Sequence, residues 1–117
     1  MACFTAPLVQ AIALSSVGDG SARQSSNPFA RRLGSLKTML YGGSALLAIE
    51  HVWHGEIIPT FPFLTAVKDG DTMGMLREIA TVGVSMAVLV TAVWAVGVLV
   101  AEAFARRGRE AAAAEVR

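Results

Sequence analysis

The sequence predicts an all-α integral membrane protein: a helical hairpin of two transmembrane helices, with a short N-terminal interfacial helix. Of its 117 residues, 54% are hydrophobic and 16% are charged, whereas about a quarter of an ordinary soluble domain is charged. Residues 79–100 form a run of 22 without a charge or a proline, and a second apolar segment covers 38–58. Both segments have the ~20-residue length that a transmembrane helix needs.

The first element lies within residues 1–17. Its apolar stretch, 3–17, measures about 22 Å as a helix, which is less than the ~30 Å hydrocarbon core. No lysine or arginine precedes this stretch, so a secretory signal is disfavoured. Phe4, Leu8 and Ile12 recur at four-residue spacing, which predicts a helix lying in the membrane interface. The alternative is a third, short transmembrane helix with the N-terminus outside.

A polar, basic linker at 18–37 leads into the first span, 38–58, whose second half carries ionisable residues. The uncharged part, 39–49, is too short to cross the membrane by itself, so the polar half must complete the crossing. At about 1.5 Å per residue from Lys37, Glu56 then reaches the opposite interface.

The connection at 59–78 is predicted to be a loop outside the membrane. Pro59 and Pro62 break the preceding helix, and Asp71 or Thr72 can cap the following one. The second span, predicted directly after this loop, is rich in β-branched residues. It is predicted to be a helix because an unpaired strand in lipid leaves its backbone unsatisfied.

The charges around the spans predict their orientation. The segment 53–78 contains two basic and four acidic residues, a net charge of −2, and a basic, alanine-rich tail follows at 106–117. Basic residues flank both spans at Arg31, Arg32, Lys37, Arg106, Arg107 and Arg109. By the positive-inside rule, both flanks of the hairpin lie in the cytoplasm and the protein is a multi-pass protein of the cell membrane. The same basic side chains could also bind anionic lipid head groups.

The cluster with metal-binding chemistry is Glu50, His51, His54 and Glu56, which contains both histidines of the chain. On a helix, His54 lies four residues from Glu50 and three from His51, so these side chains share one face. Imidazole and carboxylate ligands suit zinc, iron or another divalent metal, and two histidines suit haem. A closed site would also need Cys3 or a second protomer. Without a cofactor, the same groups would be interfacial side chains, and the absence of a cofactor is the default expectation.

Small residues recur at three- and four-residue steps along the second span, at Ala80, Gly83, Ala87, Thr91 and Ala95. Gly42 and Gly43 form a matching patch in the first span. Small residues let helix backbones approach closely, which drives association in lipid. The two patches are expected to pack against each other, or to face another protein or a second copy of the chain.

The segments MACFTAPLVQAIA, LYGGSALLAIEHVWHGE, FPFLTA and LREIATVGVSM resemble small prokaryotic membrane proteins to which no chemistry is assigned. The resemblance implies a prokaryotic membrane and assigns no functional residue.

Composition and motifs limit the possible functions. A net charge of +1 provides no basic field to recruit nucleic acid, and a single cysteine excludes an internal disulfide. No phosphate-binding glycine loop or nucleophile elbow is present, so catalysis is not expected. We expect an accessory or assembly protein that packs against itself or a larger membrane complex. The alternatives are a metal- or haem-binding protein that handles electrons or protons, and a small oligomeric channel or transporter subunit.

Overall fold

The computed structural model describes residues 2–17, 20, 23–61 and 63–117, and the regular elements in these ranges are helices. They are α1 (Thr5–Ser15), α2 (Pro28–Arg31), α3 (Leu33–Trp53), α4 (Thr65–Lys68) and α5 (Thr72–Glu115). The prediction of an all-α fold is confirmed. Residues 18–19 and 21–22 of the predicted linker, and the predicted helix breaker Pro62, lie outside the described residues.

Helix α5 contains the predicted second span. Within the described residues it is the one helix long and apolar enough to cross a membrane. It begins at Thr72 because the Asp71 carboxylate accepts a hydrogen bond from the Gly74 N–H at 3.2 Å, as the sequence predicts for a cap. The boundary of the predicted loop at 59–78 is therefore corrected, since its last seven residues are helical. A π-helical turn at Ile79–Gly83 interrupts α5, and the helix then continues through most of the tail.

Helix α3 covers the predicted first span with shifted bounds. It runs over Leu33–Trp53 rather than 38–58. The helix ends at Trp53, with His54 as its C-cap, because Gly55 adopts a φ of +71°, a conformation that an α-helix cannot contain. Lys37 and Glu50 lie within α3 and lower its apolar character, so length and composition do not establish α3 as a second crossing.

Helix α1 packs lengthwise against both long helices. It is antiparallel to α3, since Cys3 lies beside His51 and the hydroxyls of Ser15 and Tyr41 are 3.1 Å apart. It is parallel to α5, since Cys3 lies beside Gly83 and the side-chain amide of Gln10 donates a hydrogen bond to the Thr91 hydroxyl at 2.8 Å. Buried Ala11, Leu36 and Leu40 form the core between α1 and α3, and Leu14, Leu33, Val90 and Trp94 pack around them.

The small residues of α5 pack against α1. A Cβ added at Gly83 would lie 2.7 Å from the carbonyl oxygen of Cys3, so the glycine permits close approach of α1 to α5. A Cβ added at Gly42 or Gly43 would meet no heavy atom of the described residues within 4 Å. The close approach at Gly83 on α5 is therefore made by α1, and Gly42 and Gly43 make no comparably close contact with the described residues.

Polar and aromatic contacts join the N-terminal end of α3 to the C-terminal half of α5. The Trp94 indole N–H donates a hydrogen bond to the Ser35 hydroxyl at 3.0 Å, and the Phe29 ring stands edge-on to Trp94 with centroids 5.8 Å apart. Beyond them, the guanidinium groups of Arg31 and Arg32 each lie 3.4 Å from a Glu102 carboxylate oxygen. These contacts place the two flanking segments at the same end of the molecule.

Most of the apolar surface of α5 is exposed. Only 11% of its most apolar stretch is buried within the fold. Its exposed large apolar side chains are Met73, Leu76, Val82, Val84, Val88, Leu89, Val93, Val96, Leu99, Val100 and Phe104. Soluble monomers rarely expose contiguous apolar patches of more than a few hundred Å². The surface of α5 is thus compatible with association with a membrane.

Candidate functional site

The structure brings the predicted metal cluster together around one cavity, which we call the histidine cavity. It has a volume of about 280 Å³ and lies at the C-terminal end of α3. Its lining residues are Cys3, Leu47, Glu50, His51, His54, Glu56, Val82 and Met86. All four predicted cluster residues thus share this cavity with the single cysteine of the chain.

His51 is the buried histidine of this cavity. Its Nδ1 lies 2.7 Å from the Leu47 carbonyl oxygen, and because a carbonyl only accepts, Nδ1 must carry the proton that is donated. In the neutral ring, Nε2 then presents its lone pair, and this atom lies 3.3 Å from the Cys3 sulfur. The Phe4 ring stands edge-on to the imidazole, with centroids 5.6 Å apart, and helps to fix its orientation.

Cys3, which precedes α1, donates its S–H to His51. The residue is 9% exposed, and burial raises the pKa of its thiol above the ordinary value. The negative charges of Glu50 and Glu56 act in the same direction. The thiol is therefore protonated at neutral pH and available as the donor to the Nε2 lone pair.

The other members of the cluster are more accessible. Glu56 follows the turn at Gly55, and its Oε2 lies 3.7 Å from His51 Nε2 with about a third of the side chain exposed. His54 is exposed, and its Nδ1 lies 3.1 Å from the Glu50 carbonyl oxygen, so its Nε2 also presents a lone pair in the neutral ring. In the part of the chain that the structure describes, no three His, Cys, Asp or Glu side chains are grouped so that they could hold a metal ion. Metal binding by the cluster stays a prediction.

A second feature is an apolar groove between α1 and α5, which we call the α1/α5 groove. Its volume is about 510 Å³, and it is lined by Ala6, Gln10, Val84, Ala87, Val88, Thr91, Ala92 and Ala95. Three residues of the predicted stripe, Ala87, Thr91 and Ala95, are in this lining. Gly83 lies under α1 instead, and Ala80 is exposed outside the groove.

The predicted basic residues occupy different environments. Arg31 and Arg32 are about half exposed and contact Glu102, whereas Lys37 is buried within α3. Arg106, Arg107 and Arg109 are exposed on the last turns of α5, beyond the Glu102 contact. Five of these six side chains are therefore accessible at one end of the molecule.

Sequence reasoning identified the histidines and the carboxylates but not the placement of Cys3 or Met86. Cys3 and His51 are 48 residues apart, so no local spacing connects them. The sequence contained one indication of this contact. The helix that carries the histidines has too few ligands to close a metal site, so a ligand such as Cys3 would have to come from elsewhere. No protein family, curated protein or solved structure matches the chain.

Proposed function

We propose that this protein is a small integral membrane protein of accessory or assembly type, and that it associates with a second copy or a larger membrane complex through the α1/α5 groove. The main support for this proposal is the shape and lining of the groove. It is open and lined largely by small and apolar residues, on a helix whose most apolar stretch is only 11% buried. Such small-residue surfaces allow a neighbouring transmembrane helix to approach closely.

The length of α5 between two polar ends supports a membrane topology. Val82 lines the histidine cavity, and Glu102 contacts the arginines at the other end. The two residues are 20 positions apart, or about 30 Å along a helix, which is the thickness of the hydrocarbon core. In this topology both α3 and α5 cross the bilayer. The positive-inside rule then places the Glu102 end in the cytoplasm and the histidine cavity at the outer boundary.

The direction of α1 argues against an interfacial helix and favours a short helix inserted beside the two spans. α1 runs alongside α3 and α5, from the level of His51 at Cys3 to the level of Tyr41 at Ser15. A helix in the plane of the interface would instead lie across the two spans. In the proposed arrangement, α1 therefore enters the bilayer from the outer side and fills part of the space beside α5.

The association is tested by enlarging one residue of the groove. Ala92→Leu places a branched side chain in the α1/α5 groove, where we expect it to block close approach and abolish association. Ala80→Leu makes the same chemical change at an exposed position of α5 outside the groove and serves as the control. Light scattering in mild detergent and cross-linking in native membranes measure the self-association. Co-purification of membrane proteins measures binding to a larger complex.

Association that survives Ala92→Leu but is lost with Ala80→Leu would place the interface elsewhere. A monomeric wild-type protein without a stoichiometric co-purifying membrane protein would contradict the proposed function. Circular dichroism of each variant separates a blocked interface from a failure to fold.

A further inference from the structure

We propose that Arg31, Arg32, Arg106 and Arg109 form a binding site for the phosphate group of an anionic phospholipid, which we call the arginine site. The inference rests on the membrane topology of the proposed function, because that topology places this end of the molecule at the cytoplasmic boundary of the bilayer. It selects four of the six basic residues that the sequence singles out and assigns them to one ligand.

The first half of the arginine site is the contact of Arg31 and Arg32 with Glu102. Both guanidinium groups lie 3.4 Å from the same carboxylate oxygen, Oε1, so two positive charges share one negative charge. The two arginine side chains are about half exposed, whereas the Glu102 side chain is 15% exposed. A guanidinium has five N–H donors, so each arginine retains donors on its exposed side that can bind a phosphate oxygen.

The second half of the site follows from the periodicity of α5. At about 100° per residue, Arg106 and Arg109 lie about 40° and about 20° around the helix axis from Glu102, so they share its face. Arg107 lies about 140° away, on the opposite side of the helix. The segment Val84–Glu115 is continuous α-helix, so this periodicity holds throughout it. Arg106 and Arg109 are therefore on the side of α5 that faces α2.

The depth of the site matches that of lipid head groups. In the proposed topology Glu102 lies at the cytoplasmic edge of the ~30 Å hydrocarbon core, and about 5–8 Å of head groups follow on each side of that core. At about 1.5 Å per residue, Arg106 lies about 6 Å beyond Glu102 and Arg109 about 10 Å. Helical side chains lean towards the N-terminus of their helix, so both arginines lean back towards the head groups.

The charge of the site favours an anionic ligand. Four guanidinium groups against the Glu102 carboxylate leave a net charge of +3. Of the other acidic residues in the tail, Glu110 lies about 80° around the helix from Glu102, and Glu115 lies more than three turns further along. Arginine forks bind phosphate oxygens in pairs. A zwitterionic lipid also carries a cationic group, which these arginines repel, so an anionic phospholipid is the preferred occupant.

Native mass spectrometry of the full chain in mild detergent tests this preference. The protein is titrated separately with phosphatidylglycerol, which is anionic, and with phosphatidylcholine, which is zwitterionic. A basic side chain near an anionic membrane surface contributes about 1 kcal/mol, which corresponds to a factor of about five in affinity. We therefore expect phosphatidylglycerol to bind at least about fivefold more tightly than phosphatidylcholine.

Matched substitutions on α5 separate the arginine site from a general attraction of basic residues to anionic lipid. Arg106→Gln should weaken phosphatidylglycerol binding about fivefold. Arg107→Gln makes the same chemical change on the opposite side of the helix and should alter the affinity less than about twofold. Glu102→Gln removes the carboxylate that competes with the phosphate, so it should strengthen phosphatidylglycerol binding. All three variants should bind phosphatidylcholine as the wild type does.

Equal affinity of the wild type for the two lipids overturns the proposal. Equal losses in Arg106→Gln and Arg107→Gln also overturn it, as does weaker phosphatidylglycerol binding by a Glu102→Gln variant that circular dichroism shows to be folded. Displacement of phosphatidylglycerol by an equal concentration of inorganic phosphate would assign the site to a free anion and exclude the lipid.

The lipid preference is measured separately from association. Ala92→Leu changes the α1/α5 groove and leaves the arginine site intact, so it should keep the wild-type preference for phosphatidylglycerol. A wild-type protein that prefers phosphatidylglycerol but does not associate would contradict the proposed function alone. A protein that associates but binds both lipids equally would contradict the arginine site alone.

Discussion

At the scale of single residues, Gly83 shows how one missing side chain positions a helix. A Cβ at this position would contact the backbone oxygen of Cys3 at 2.7 Å and the Ala6 side chain at 3.1 Å. Neither atom belongs to a long, flexible side chain, so the contact cannot be relieved without moving α1. The same glycine therefore also determines where Cys3 lies relative to His51.

We expect Gly83→Ala to destabilise the protein by about 1–3 kcal/mol, the usual cost of overpacking. Gly97→Ala is the matched control on the same helix, because a Cβ there meets no heavy atom of the described residues within 4 Å. The control should be neutral or stabilising by up to about 1 kcal/mol, since alanine favours helix. Thermal or denaturant unfolding in detergent measures both changes. Equal effects of the two substitutions would show that α1 does not pack closely on Gly83.

At the scale of secondary-structure elements, a polar contact contributes to the register of α1 on α5. Gln10 donates to the Thr91 hydroxyl, and Thr91 in turn donates to the Ala87 carbonyl of its own helix. Hydrogen bonds of this kind between helices in a membrane stabilise by about 0.6 kcal/mol on average, with a maximum near 1.7. The contact therefore contributes little to the stability of the helix pair, and its main effect is on the register of the two helices.

A double-mutant cycle tests this contact. Gln10→Met and Thr91→Val should show a coupling energy of about 0.6 kcal/mol, and of no more than about 1.7 kcal/mol, in unfolding measurements. The cycle with Thr81→Val in place of Thr91→Val is the control, because the Thr81 hydroxyl donates to Arg77 of its own helix. The control cycle should give a coupling near zero. Absence of coupling in the first cycle would contradict the observed register.

Element bounds differ in how far the sequence could predict them. The start of α5 follows from Asp71, whose carboxylate is a standard N-cap. The uncharged segment from which the span was predicted begins only at Ile79. The end of α3 was not predictable from apolar periodicity. It depends on the positive φ of Gly55 and on the antiparallel bridge between Ile57 and Leu64, which turns the chain back. Glu56 consequently lies after the turn at Gly55 rather than on a helix.

At the scale of the whole molecule, the protein is elongated, with dimensions of 72 × 24 × 21 Å, and this shape is compatible with the proposed crossing of a bilayer by α3 and α5. The arginines at 106, 107 and 109 lie on the C-terminal part of α5 and the turn at 69–71 lies at the other end of α5. In the proposed topology, the difference in charge between the two ends predicts that the arginine end lies in the cytoplasm.

Cysteine labelling tests this topology. In a Cys3→Ser background, single cysteines replace Gln24, Asp69 or Ala112, all of which are exposed. With two crossings, an impermeant maleimide should label Asp69→Cys in intact cells and the other two only after permeabilisation. If α5 alone crosses the membrane, Gln24→Cys would be labelled together with Asp69→Cys. That result would contradict the crossing by α3.

The sequence by itself determined the helical class and the long apolar helix. These follow from composition and from short-range rules, because a run of 22 uncharged residues in lipid can satisfy its backbone only as a helix. The grouping of Glu50, His51, His54 and Glu56 was also evident, since they are close in the chain. Only the tertiary structure decided that α1 packs along α5 and that Cys3 lies 3.3 Å from His51. Such contacts join residues 48 or 81 positions apart, and they depend on close packing that leaves no periodic or local pattern in the sequence.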